Sequence, residues 1–239
     1  MTLLLATILF ASPAKPLNVL FLGNSHTSVN GLSATVVRFL ESDGTGRKVK
    51  AQLISGPDLG HLWAQKRVQD TIKEGGWDVV VLQGQMISMS HKYDYSKAEA
   101  ISLANLAKKS GAKALFFAEW PRANNDESDY IYNIYADIAK KSGAEVVPIC
   151  YAFDRSTRAK TKLSLLGSDG NHASPQGSYL GALTIYYWIA GIDAKPSVHA
   201  EHGVTNEVAV TLHAIAKEVV EVSRKKAGKV PTAAQWRTS

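Results

Sequence analysis

Leu17-Asn18-Val19-Leu20-Phe21-Leu22-Gly23-Asn24-Ser25-His26-Thr27 is the stretch whose reading decides the fold of this 239-residue chain. Its first six residues are almost continuously apolar, as in a parallel strand covered on both faces. Gly23 ends the run and a polar cluster follows. A buried strand that stops at Gly and feeds a helix is the repeating unit of an α/β sheet. Working outward, residues 78–82 (DVVVL) and 113–118 (KALFFA) repeat the pattern, and 145–149 (EVVPI) repeats it more weakly. Residues 48–55 (KVKAQLIS) alternate instead and read as an edge strand with one exposed face.

Helical windows lie between these strands. Leu32, Val36, Phe39 and Leu40 share one face, as do Ala98, Ile101 and Ala104 in a later window. Two helix exits are near copies, AKKSGAK at 107–113 and AKKSGAE at 139–145. Each puts Lys in the last turn, where it complements the helix dipole, and Gly where a left-handed cap is needed. Residues 176–189 and 206–226 read as two closing helices. The second carries Val208, Leu212, Ile215, Val219 and Val222 at spacings of 4, 3, 4 and 3. Five strands alternating with helices predict right-handed crossovers and a three-layer α/β/α sandwich of about five parallel strands. No Pro/Gly/Ser linker divides the chain, so residues 15–239 read as one domain.

Composition narrows the function classes. Hydrophobic residues at 45% and charged residues at 20% exclude a disordered chain, a collagen and a coiled coil. The one cysteine, Cys150, excludes an internal disulfide framework and a multi-cysteine zinc module. Beside Pro148 and Tyr151 it reads as a small buried apolar residue. The net charge of +6 is spread along the chain; its densest group, Arg224, Lys225, Lys226 and Lys229, reads as a solvated tail. No nucleic-acid partner is expected from it. No apolar run approaches the ~20 residues of a spanning helix. Residues 2–11 are largely apolar and precede Ser12-Pro13-Ala14, the pattern of a signal-peptide core and its small-residue exit. The basic start of a signal peptide is missing, so a buried N-terminal strand or a mis-assigned start are the alternatives. The expectation is export, with residues 1–14 as the signal.

In such sheets ligands bind at the carboxyl ends of the strands, near the reversal of strand order. Ser25 follows the first strand there, where a helix N-terminus favours developing negative charge. The block is not a G-x-S-x-G elbow, because position 27 is Thr, and no phosphate loop follows any strand. Ser25 reads either as a helix cap or as a nucleophile. A nucleophile needs a base and an acid to orient that base. Asp169 and His172, three apart and just before a helix, suit those roles. Asp58 and His61 repeat the spacing, so spacing alone does not choose between them. An oxyanion needs N–H donors: Gln83 or Gln85 after the third strand, Gly56 after the second, and the backbone of Ser25.

Taken together, these blocks resemble the SGNH (GDSL-type) esterases. That family has Ser in a G-D-S-like block after its first strand, Gly after its second and an amide after its third. A D-x-x-H block precedes its last helix. The resemblance spans residues 17 to about 190 and implies a flavodoxin-like α/β/α sandwich. It implies Ser25 as nucleophile, His172 as base, Asp169 as its orienter, and Ser25, Gly56 and Gln83 as the oxyanion hole. It calls for no cofactor and no metal. Asn24 replaces the Asp of G-D-S, and Gln83-Gly84-Gln85 replaces G-x-N-D, a block similar to the Q-G-E of carbohydrate acetylesterases. The implied reaction is hydrolysis of a small-molecule or glycan carboxylic ester, O-acetyl groups on a carbohydrate included.

Three other readings are weaker. A binding module with a degenerate site would have no reason to keep Ser25, Asp169 and His172 together. A metallohydrolase would need a ligand set, and His199-Ala-Glu-His202 lacks the H-E-x-x-H pattern. A flavodoxin-like electron carrier would need an aromatic flavin loop. Tyr93, Tyr95, Trp120 and Arg122 fall near strand ends, where they could line an acyl or sugar site.

Overall fold

The computed structural model describes residues 15–197, 203–225 and 230–238. The proposed signal segment 1–14, the histidines 199 and 202, and the lysines 226 and 229 lie outside the described residues. Five strands form one parallel sheet: β1 Leu17–Gly23, β2 Val49–Ser55, β3 Val79–Leu82, β4 Lys113–Phe117 and β5 Glu145–Val147. Their spatial order is β2-β1-β3-β4-β5. The chain moves outward from β1 to β2 and then crosses back to β3 on the other side of β1. The order therefore reverses at β1, and the crevice at its carboxyl end is the natural ligand position. Val19 to Leu22 and Val80 to Leu82 have no exposed surface, whereas β2 is largely exposed. This is the contrast between continuous and alternating sequence patterns.

Around the sheet lie α1 Ser25–Ser28, α2 Leu32–Glu41, α3 Leu59–Trp63, α4 Lys66–Glu74, α5 Ala98–Lys109, α6 Ser128–Ser142, α7 Ile149–Ser156, α8 Pro175–Ala190, α9 Asn206–Lys225 and α10 Ala233–Thr238. A single 3₁₀ turn, Val29–Gly31, joins α1 to α2. Helices α2, α8 and α9 pack together as one layer; α4, α5 and α6 pack as the other. The result is the three-layer α/β/α sandwich.

Local readings change in four places. The fifth strand is only three residues long, because Pro148 has no N–H to donate, and Ile149 already begins α7. The sequence reading contained neither α7 nor α10. In α5 the buried residues are Ala100, Leu103, Ala104 and Ala107, while Ala98 is exposed and Ile101 half-buried. Alanines let that helix lie close on β3 and β4, so its inner face is less hydrophobic than an Ile-centred stripe suggests. Finally, the helix expected over 176–189 is present as α8 but is one residue longer at each end, Pro175–Ala190. Its residues from Gly177 to Trp188 are all buried, as expected of a helix apolar on every side.

Candidate active site

The turn after β1 is set by steric constraint. A side chain on Gly23 would collide with Thr27 Oγ1 and come within 2.9 Å of Gln83 Oε1. Asn24 caps α1: its Oδ1 accepts from His26 N–H at 3.0 Å, and its Nδ2 donates to Pro57 O at 3.2 Å. Ser25 is thereby exposed as the first residue of α1, where a backbone N–H has no intrahelical acceptor.

His172, 147 residues away, reaches it. Its Nε2 lies 2.8 Å from Ser25 Oγ, and its Nδ1 lies 2.6 Å from Asp169 Oδ2. A carboxylate only accepts, so Nδ1 carries the proton and Nε2 is left to accept from the serine hydroxyl. Asp169 Oδ1 also accepts the N–H groups of Asn171 (2.9 Å) and His172 (3.0 Å). The bond to the His172 ring, then these two amides, hold the Asp169 carboxyl down at about 2.

The strap carrying this pair is a tight antiparallel turn. Leu166 bridges Ala173, Gly167 N–H donates to His172 O at 2.8 Å, and Gly170 N–H donates to Gly167 O at 3.0 Å. Neighbouring elements fasten it. Trp120 Nε1 donates to Asn171 O at 2.9 Å, and Ala123 N–H donates to Gly170 O at 2.7 Å. Asn30, in the left-handed region at φ 50°, donates to Ala173 O and to Ser178 Oγ, both at 2.9 Å. It ties the strap to the turn just after the serine. His26 fills the space between, stacked on His172 with ring centroids 5.3 Å apart and 5.2 Å from Trp120. Burial, then the charge of His172, lowers the His26 pKa.

The other expected site residues are placed differently. Gly56 N–H donates to Gly23 O at 3.0 Å, because the β1–β2 ladder runs on past Ser55, so this amide is not free to meet an oxyanion. Gln83 is 1% exposed and turns its oxygen, not its nitrogen, to the serine turn: Oε1 accepts from Asn24 N–H at 3.0 Å and Thr27 O–H at 2.9 Å. Gln85 Nε2 donates to Ser96 O at 3.0 Å and Met86 O at 3.3 Å. Asp58 caps α3 and binds its own histidine, His61, at 2.6 Å. Tyr93, Tyr95 and Arg122 are exposed; Trp120 is buried and serves as an anchor, its ring stacked on Phe153.

Sequence reasoning passed over Asn30, His26, Glu119 and Tyr135. A signal existed for one of them. Glu119 directly follows the all-apolar run that ends at Ala118, and a carboxylate just beyond a buried strand is costly unless it is held. Its Oε2 accepts from Tyr135 O–H at 2.6 Å, and burial raises its pKa to about 7. Cys150 is fully buried, and desolvation pushes its thiol well above the usual range, which disfavours the nucleophilic thiolate. Among the described residues no group of three or more His, Cys, Asp and Glu is placed to hold a metal ion. Among the same residues, no helix is long and apolar enough to cross a membrane.

Solved structures share this architecture, although no family model and no curated protein matches the sequence. A protein of Slackia heliotrinireducens described as an SGNH hydrolase is 23% identical, with a TM-score of 0.58; the match covers 73% of this chain and all of that one. A DUF4886 family protein from Bacteroides uniformis is 16% identical, with a TM-score of 0.66, over 91% of this chain and 98% of the other. Axe2, an acetylxylan esterase from Geobacillus stearothermophilus, is 17% identical, with a TM-score of 0.59, over 75% and 96%. The chain shares its fold with these proteins.

Proposed function

We propose that this protein is a serine hydrolase of carboxylic esters, with Ser25 as nucleophile, His172 as general base and Asp169 as the acid that orients it. One observation carries the reading: an unbroken hydrogen-bonded path from Ser25 Oγ through both nitrogens of His172 to Asp169. His172 Nε2 takes the hydroxyl proton as Ser25 Oγ attacks the ester carbonyl. The imidazolium formed is stabilised by Asp169, which remains ionised. Collapse of the tetrahedral intermediate expels the alcohol, which takes the proton from His172, and leaves an acyl-serine. Water, activated by the same histidine, then releases the carboxylic acid. The backbone N–H of Ser25 is the oxyanion donor that this arrangement leaves open. Gly56 and Gln83 act instead by shaping the turn that presents it.

The substrate class that fits best is an O-acetylated carbohydrate. The sequence Gln83-Gly84-Gln85 supports it, as does a fold held in common with an acetylxylan esterase. The test is labelling by a fluorophosphonate probe, with the modified residue located by mass spectrometry. Ser25 is the expected site, and Ser25→Ala and His172→Ala should both remain unlabelled. Hydrolysis rates on p-nitrophenyl esters of increasing chain length and on acetylated xylo-oligosaccharides then read the acyl group and the leaving group. An unlabelled wild-type protein that hydrolyses none of these would leave a catalytically inert binding module as the better reading.

A further inference from the structure

Four aromatic rings stand in a column that ends on His172, and the proposed mechanism uses only the last of them. Phe153, on α7, stacks on Trp120 with ring centroids 4.9 Å apart and an interplanar angle of 11°. Trp120 meets His26 at 5.2 Å and 57°, and His26 stacks on His172 at 5.3 Å and 23°. Phe153 and Trp120 are buried, His26 is half-buried, and 35% of the His172 side chain is exposed. The column therefore runs from the interior of the protein to the mouth of the site.

His26 is held at its edge as well as at its faces. Asn24 Oδ1 accepts its backbone N–H at 3.0 Å and lies 3.2 Å from its ring Nδ1. An amide oxygen only accepts, so Nδ1 carries the proton. The helix cap that exposes Ser25 thus also sets the plane of the His26 ring. On the far side Trp120 is tethered, because its Nε1 donates to Asn171 O at 2.9 Å, one residue before His172.

The His172 ring is bonded through its two nitrogens, to Asp169 and to Ser25. Those bonds aim the ring along the line between its partners and leave it free to roll about that line. A flat surface against one face stops the roll. The roll matters in acyl transfer because Nε2 serves two oxygens in turn, first the serine's and then the leaving alcohol's.

We propose that His26 is a positioning residue: its ring, set by Asn24 and backed by Trp120 and Phe153, holds the plane of the His172 imidazole and so aims Nε2 at Ser25 Oγ. Burial, then the charge of His172, lowers the pKa of His26. Near neutral pH the ring therefore meets the imidazolium formed in turnover without adding a charge of its own. Only the kinetic readout of this inference rests on the hydrolase reading.

Three substitutions separate a flat face from the mere filling of space. His26→Ala removes the ring. His26→Leu fills much of the volume without a planar face. His26→Phe restores the plane and gives up the ring's bond to Asn24. On p-nitrophenyl acetate, kcat should fall about 10- to 100-fold in His26→Ala and about tenfold in His26→Leu. KM should be nearly unchanged, because a misaimed base loses alignment rather than binding. His26→Phe should recover kcat to within about threefold of wild type.

NMR relaxation of ¹³C at Cε1 of His172 gives a readout independent of catalysis. The order parameter of that ring should fall in His26→Ala and His26→Leu and return to the wild-type value in His26→Phe. If His26→Ala does not fold, the Leu and Phe variants decide between them. A Leu variant equal to the Phe variant in ring order would reduce His26 to packing and overturn the inference. So would a ring that loosens in an active enzyme with no loss of kcat. If wild type hydrolyses no ester, the assignment of Ser25 fails and the ring order still decides the role of His26.

Discussion

Two turns in this molecule have the same sequence pattern and almost the same internal geometry. In Asp58-Leu-Gly-His61, the carboxylate accepts His61 N–H at 2.9 Å and faces the ring Nδ1 at 2.6 Å. In Asp169-Gly-Asn-His172 the corresponding distances are 3.0 and 2.6 Å. The difference lies in what surrounds them. Asp58 caps α3 and has 13% of its side chain exposed, while the His61 side chain is 67% exposed. In the second turn the balance is reversed: Asp169 is 52% exposed and the His172 side chain 35%, with its Nε2 on Ser25 Oγ. An Asp three residues before a His readily makes this dyad, because one turn brings carboxylate and ring together. The dyad acquires a third member only where the strap holds it over the carboxyl end of β1. Trp120, Ala123 and Asn30 supply that placement, and none of them makes such a contact to the Asp58 turn.

Substituting the histidines in parallel tests this comparison with the largest expected effect. His172→Ala should lower kcat by about 10⁶-fold, the scale for losing the base of a serine triad, whereas His61→Ala should stay within about threefold. Equal losses would mean that the base has been assigned to the wrong turn. The acids come next. Asp169→Asn should lower kcat on the order of 10⁴-fold, because the ring loses the partner that fixes its tautomer. Asp58→Ala should leave turnover nearly intact and instead cost about 1 kcal/mol of stability, the usual effect of losing an N-cap, read from chemical denaturation. A catalytic defect in Asp58→Ala larger than its stability loss explains would break the comparison.

What the sequence disclosed and what it withheld follow the range of the interactions. The strands through Phe21, Val80 and Phe116 were legible because a strand buried on both faces must be apolar at every position. The second strand was legible as an edge because Lys50 and Gln52 interrupt its apolar residues, and both are exposed. The pairing of Asp169 with His172 was readable for a local reason, a separation of three residues; its placement on Ser25 was readable from its position before the last helix together with the resemblance to the SGNH block order, since Asp58 and His61 also follow a strand end. The oxyanion donors were not. Whether Gly56 N–H is free depends on whether the ladder continues to Gly23 O, and which end of Gln83 faces the serine turn depends on two donors far earlier in the chain, Asn24 N–H and Thr27 O–H. Asn30 acts across 143 residues, on Ala173 O, and no pattern around position 30 announces it. Helix α7 was hidden by Pro148, whose apolar neighbours looked like more strand.

The smallest expected effect is a titration, and it sharpens the comparison at its acidic end. The Asp169 carboxyl is held at about 2, below the usual 3.8, first by the His172 ring and then by the amides of Asn171 and His172. Because the folded value lies below the unfolded one, the stabilising contribution is fully present above about pH 3.8 and is lost as pH falls through about 2. The group is exposed, so solvent screening keeps the stability change small and the chemical shift is the better observable. In ¹³C NMR the Asp169 carboxyl of wild type should stay ionised down to about pH 2. In His172→Ala the largest single cause disappears, and the midpoint should rise toward the ordinary aspartate value, with the two amide bonds retaining part of the depression. His61→Ala should leave the Asp169 midpoint where it was. A midpoint in His172→Ala that does not move would mean that the amides alone hold the carboxylate, and that the 2.6 Å contact with the ring adds little to the electrostatics of the site.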